Sequence, residues 1–115
     1  MCFNNYMATS QHTADFILEQ TESAGDMSAR KMFGEYALYC DGKVVAFICD
    51  DRLFMKPTAA ATAFLDDTHL APAYPGSKDY YCVPEDMLED PGWLCRFVRA
   101  TWDAVPYPKP KKSKE

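Results

Sequence analysis

Hydrophobic and polar positions alternate most clearly between Arg30 and Lys56, where the chain reads RKMFGEYALYCDGKVVAFICDDRLFMK. Four short runs rich in aromatic and branched residues are separated by Gly34-Glu35, Asp41-Gly42 and Asp50-Asp51. This spacing predicts an antiparallel meander with strands near 30–33, 36–40, 43–49 and 52–56. Asp-Gly between apolar runs is the sharpest signal, because a type I′ turn needs positive φ at both central residues.

Two-residue loops would place Cys40 opposite Lys43, Leu38 opposite Val45, Tyr36 opposite Phe47, and Phe47 opposite Phe54. One face then collects Ala37, Tyr39, Val44, Ala46, Ile48, Leu53 and Met55, and it is apolar enough to receive helices. The other collects Phe33, Tyr36, Leu38, Cys40, Val45, Phe47, Cys49 and Phe54, with Arg52 and Lys56 at its rim. A sheet face that met only water would be more polar. Tyr36, Phe47, Phe54, Arg52 and Lys56 are therefore the candidate interaction surface, for a homodimer or a protein partner. The rival arrangement has the last helix, with Trp93, Phe97 and Trp102, crossing to cover that row. In this register Cys40 and Cys49 share a face about 20 Å apart, too far for a disulfide.

Around the meander, residues 1–8 read as a flexible leader. A first helix is expected over 9–24, capped by Thr9 or Ser10 and stopped by Gly25. Thr58 is placed to cap a short helix over AAATAFLDD, and 69–79 read as a loop. Tyr80–Val83 forms a further strand, Pro84-Glu85-Asp86 one helical turn, and Asp90-Pro91 opens an amphipathic last helix closed by Pro106. The fold class is α+β, in the order α-β-β-β-β-α-β-α, with one domain over 9–105 and a disordered Pro/Lys-rich tail over 106–115.

Composition narrows the function classes. The 115 residues suit a single small domain, and the five cysteines form no C-x-x-C pair, so a reducing cytoplasm is expected. No apolar run is long enough to cross a membrane, and the N-terminus has no secretory pattern. The net charge of −5 conceals an asymmetry. Residues 1–105 hold eight Lys and Arg against sixteen Asp and Glu, whereas the last ten residues hold four Lys and one Glu. A body of net −8 repels phosphate backbones, which disfavours direct nucleic-acid binding.

No cofactor or metal is expected. His12, His69 and the cysteines lack ligand spacing, and the glycines form no phosphate loop. Cys49 beside Asp50-Asp51 is a poor nucleophile, because the acids disfavour its thiolate. The chain is read as no enzyme. A small-ligand binder, with a pocket between the sheet and the 69–80 loop, is the alternative, and a DNA-binding accessory protein is a weaker one.

Residues Arg30–Lys56 resemble the N-terminal domain of the TfoX/Sxy family of competence regulators. The resemblance is carried by Arg30, Met32, Phe33 and Gly34, then Asp41-Gly42-Lys43 and Phe47, and the closing Asp51-Arg52-Leu53-Phe54-Met55-Lys56. Tyr80-Tyr81 and Val83-Pro84-Glu85-Asp86 extend it. Glu35 and Ala37 stand where the family often has glycine. The resemblance implies a two-layer, secretion-chaperone-like fold and co-regulation of transcription through contact with a protein partner, the cyclic-AMP receptor protein in that family. Full-length regulators continue into a second helical domain, so this chain resembles the N-terminal module alone.

If Asp41-Gly42 forms the type I′ turn, Gly42→Val should destabilise the domain by about 1–3 kcal/mol. Chemical denaturation midpoints of the two proteins check this.

Overall fold

The computed structural model describes residues 10–32 and 35–106. The expected leader, the alternative cap Thr9, Phe33 and Gly34, the expected tail beyond Pro106 and the side chain of Met32 lie outside the described residues. Six strands form one antiparallel sheet: β1 (Met27–Met32), β2 (Glu35–Cys40), β3 (Lys43–Cys49), β4 (Arg52–Met55), β5 (Leu70–Pro72) and β6 (Asp79–Cys82), in the spatial order β1-β2-β3-β4-β6-β5. Helices α1 (Gln11–Gln20) and α2 (Pro91–Ala104) pack on one face, giving the expected α+β architecture.

Local chemistry explains the helix ends. Ser10 caps α1 by accepting from the Thr13 backbone N–H at 3.2 Å. Asp90 caps α2 by accepting from the Trp93 N–H at 3.1 Å, and Pro91 occupies the first turn. Helix α1 is shorter than expected, and the chain continues through a 3₁₀ turn, Glu22–Ala24, before Gly25. The AAATAFLDD segment forms a 3₁₀ helix, Ala59–Ala63, rather than an α-helix, and Thr58 makes no capping bond. Alanine's preference yields there to packing, with Ala61 buried and Phe64 stacked on Phe97 at 4.7 Å between ring centres. Within the 69–79 stretch read as a loop, Leu70–Pro72 forms β5 and Asp79 begins β6, while 73–78 are turn and loop as expected; a short 3₁₀ turn, Asp67–His69, leads into it.

The register corrects one expectation. Leu38 pairs with Ala46, whereas Tyr39 pairs with Val44, so Val45 is the extra residue of a bulge. The bulge moves Tyr36 opposite Ile48 and sets Ala37 opposite Phe47. Tyr36, Leu38, Cys40 and Val45 consequently lie in the main core beneath the helices, with Ala46, Ile48, Leu53 and Met55. Ala14 and Ile17 of α1 and Leu94, Phe97 and Val98 of α2 complete that core. Cys40 and Cys49 thus belong to opposite faces, which excludes their pairing for a different reason from the one expected.

Both tight turns carry positive φ, with Asp41 at 47°, Gly42 at 86°, Asp50 at 54° and Asp51 at 59°. The Asp41-Gly42 hairpin is therefore as expected. Asp50-Asp51 manages the same geometry without glycine, because aspartate tolerates the left-handed region better than most residues. Each turn reaches the helical layer. Asp41 accepts from the Asp26 N–H at 2.8 Å and from Arg99 Nη1 of α2 at 2.9 Å. Asp51 accepts from the Ser10 N–H and the Thr13 hydroxyl, each at 2.9 Å, at the start of α1. Gly25 fits closely against the first clamp, for a Cβ there would lie 2.8 Å from Asp41 Oδ2 and 3.0 Å from Cys40 Sγ.

The Ser10 N–H holds the Asp51 carboxyl below the usual carboxylate range, against an opposing effect of burial. A carboxylate with a depressed folded pKa contributes stability that is complete above its unfolded value, about pH 4, and is lost as the pH falls through the lower folded value. Asp51→Asn, which tolerates the same φ, should therefore lower stability at neutral pH, and its deficit should shrink as the pH falls below about 4. Thermal midpoints measured from about pH 7 to about pH 2.5 check this.

Candidate interaction surface

Side chains on the face away from the helices follow from the pairing. Arg30, Ala37, Phe47, Phe54 and Cys82 form one row across β1, β2, β3, β4 and β6. Phe54 is fully buried in a second cluster with Cys49, Ala73 and Tyr80, flanked by Phe47, Ala71 and Cys82. Phe47 remains partly exposed and meets Tyr80 edge-on, with ring centres 5.5 Å apart. Tyr36 is absent from the row, because the bulge turns it into the main core. Helix α2 does not cross to this side, since Phe97 belongs to the main core and Trp93 and Trp102 pack against it.

Cations accompany the rings. Arg30 lies over Tyr39 at 5.4 Å, Arg52 over Phe54 at 5.5 Å and Lys78 over Tyr80 at 5.7 Å. Arg52 is exposed and also reaches the Asp50 carboxylate at 3.4 Å. Lys56, half-buried, follows Arg52 and Phe54 in the alternation and completes the rim.

Burial dominates the electrostatics of the cluster. It pushes the Cys49 thiol up to about 12, with the Glu35 and Asp50 charges acting in the same direction. Burial also raises Cys82, Tyr80 and Glu35, and one Glu35 carboxylate oxygen is shut off from solvent without a hydrogen-bond partner. A thiol held protonated in this way is a poor nucleophile, in the direction expected for Cys49. Among the described residues, no group of three or more His, Cys, Asp and Glu is placed to hold a metal ion. No helix there is long and apolar enough to cross a membrane.

The sequence words quoted above find their places in this geometry. Arg30 opens the aromatic row, Asp41 and Asp51 are the two clamps, Leu53 is core, and Lys56 is rim. The family model of the TfoX N-terminal domain matches residues 19–105, from within α1 to the end of α2. The chain belongs to the TfoX N-terminal domain family. It is also 42% identical over 108 residues to an uncharacterized 12.7 kDa protein in the trpE 5′ region of Spirochaeta aurantia, covering 94% of this chain and 93% of that protein.

Tyr39, Lys78 and Tyr80 join the surface without having been read as site residues. A register without the bulge puts Tyr39 on the helical face with Ala37, and Lys78 lies in the loop before β6, where alternation gives no signal. The Tyr80-Tyr81 strand was visible, but only its pairing between β4 and β5 sends Tyr80 to this face.

The two phenylalanines should respond differently to truncation. Phe54→Ala should cost about 3–5 kcal/mol, the range for a fully buried ring. Phe47→Ala should cost clearly less, because part of its ring already meets solvent. Paired urea titrations compare them.

Proposed function

We propose that this chain is a non-enzymatic regulatory module that works by contact with a protein partner, docked on the sheet face opposite the helices. Charge segregation supports this reading most directly. Arg30, Arg52, Lys56 and Lys78, four of the eight Lys and Arg in residues 1–105, gather on or beside the aromatic face. The helical layer instead exposes Asp15, Glu19, Glu22, Glu85, Glu89 and Asp103. A basic, partly apolar face on an acidic body selects an acidic partner surface by complementarity. The class of partner proposed, a protein of the transcription machinery or one of its regulators, is taken from the resemblance to the TfoX/Sxy regulators.

Two rivals fare worse on this face. An isologous homodimer through it would set one net-basic face against another. Single-stranded nucleic acid needs open rings on which bases stack, and Phe54 and Tyr80 are buried.

Sedimentation and affinity capture from native cytoplasm test the reading. The wild type should sediment as a monomer and capture an acidic transcription protein in a salt-sensitive manner. Phe47→Asp and Arg52→Glu should keep the wild-type circular dichroism and lose that protein. Capture unchanged in both folded variants would overturn the docking face. A wild-type dimer dissociated by Phe47→Asp would replace the partner with a second copy.

A further inference from the structure

A pocket of about 420 Å³ opens where β4 ends and α2 runs out, between Lys56-Pro57-Thr58 on one side and Lys78, Val105 and Pro106 on others. Among the described residues its side-chain polar groups make no hydrogen bond or ion pair, and Lys78 meets only the Tyr80 ring. Neither Lys56 nor Lys78 forms an ion pair among the described residues, although the body as a whole is strongly acidic. Lys56 is half-buried, and its ammonium is disfavoured first by burial and then by the charge of Lys78. The Thr58 hydroxyl makes no hydrogen bond and leaves the following 3₁₀ helix uncapped. Two like charges and an unpartnered hydroxyl around one open pocket cost stability unless something of opposite sign joins them.

We propose that this pocket binds a phosphate monoester. A phosphate monoester carries a charge of −1.5 to −2 and three strong acceptor oxygens. The two ammoniums match that charge, and a turn of Thr58 about χ1 would bring its buried, unpartnered hydroxyl to the pocket as a third donor. A lone carboxylate would neutralise only one of the lysines. The pocket's volume exceeds the needs of the phosphate, and Pro57, Val105 and Pro106 offer apolar wall to the organic part of the ligand. The same chemistry arises from a small phosphorylated metabolite or from a phosphorylated serine on a protein segment. This site shares Lys56 and Lys78 with the proposed docking face, but the two proposals fail separately, because Phe47→Asp and Arg52→Glu disturb the face and leave both lysines in place.

The test is titration of the full-length chain, followed by amide NMR shifts, with inorganic phosphate, phenyl phosphate and a phosphoserine peptide, against chloride at matched ionic strength. The expected result is saturable shifts at Lys56, Thr58, Lys78 and Val105 that chloride does not produce. Lys56→Met and Lys78→Met should each weaken binding about ten- to hundredfold, the worth of one hydrogen bond to a charged group, without lowering the thermal midpoint. Thr58→Val should weaken binding at unchanged or higher stability. Lys78 is exposed, so its variant decides the matter if Lys56→Met fails to fold. Tighter phenyl phosphate assigns a metabolite, and a tighter peptide assigns a phosphorylated segment. Shifts absent with all three probes, or surviving Lys78→Met at full strength, would overturn the site.

Discussion

One extra residue in β3 decides what each face of the sheet becomes. The Asp41-Gly42 turn sets Cys40 opposite Lys43, so both point toward the helices. Without a bulge, alternation would then send Ala46 and Ile48 away from the core and bring Phe47 and Cys49 into it. Val45 absorbs the mismatch, and Lys43, Ala46 and Ile48 all face the helical layer. Its carbonyl is not left idle, because it accepts from the Lys56 N–H at 3.0 Å. Lys43 gains most from this arrangement. Its ammonium donates to the Trp102 and Val105 carbonyls at 2.8 and 2.6 Å and lies 3.8 Å from the Trp102 ring centre. A cation buried at the C-terminal end of α2 is favoured by the helix dipole and by the unpaired last carbonyls. The opposite parity at position 43 would forfeit that contact.

The turns on either side of β3 fasten the two layers from opposite ends. Asp41 ties the Asp26 backbone to Arg99 of α2, while Arg99 also donates to the Ala24 carbonyl at 3.1 Å. Asp51 ties the other end of the sheet to the first turn of α1. Three aspartates in left-handed conformation cost of order 1 kcal/mol each or more, and Asp41 and Asp51 offset part of this through charge-assisted bonds. The words Asp41-Gly42-Lys43 and Asp51-Arg52-Leu53, which carry the family resemblance, are in this light mostly fastening points and core. They describe how the module is built more than what it contacts.

That distinction explains what the sequence disclosed. Strand runs, Asp-Gly geometry and both long helices depend on local chemistry, so they were legible, as were Phe47, Phe54, Arg52 and Lys56 on one face. Tyr36 was misplaced because a bulge leaves little local trace: Val44, Val45 and Ala46 are three apolar residues that suit either parity. The short 3₁₀ segment at 59–63 and strand β5 depend on tertiary partners, Phe97 and Tyr81 among them, that lie far along the chain. Lys78 was invisible for the same reason, since nothing near it in sequence announces Lys56.

The two faces also differ in how their charges are answered. On the helical side, Lys43 meets carbonyls and Arg99 meets Asp41, so each buried or half-buried cation has an acceptor inside the fold. On the other side the cations meet π-faces: Arg30 over Tyr39, Arg52 over Phe54 and Lys78 over Tyr80. A ring attracts a cation without neutralising it, so the positive field persists above this face. Acidic residues are twice as numerous as basic ones in the body and would readily supply counter-charges, yet among the described residues Arg52 alone of these cations has a carboxylate within ion-pair distance. Answering the remaining cations from within would strengthen the fold and silence the face. Leaving them to aromatic rings keeps the surface positive on a protein whose net charge is negative, and that is the physical condition for recognising an anion or an acidic surface from outside.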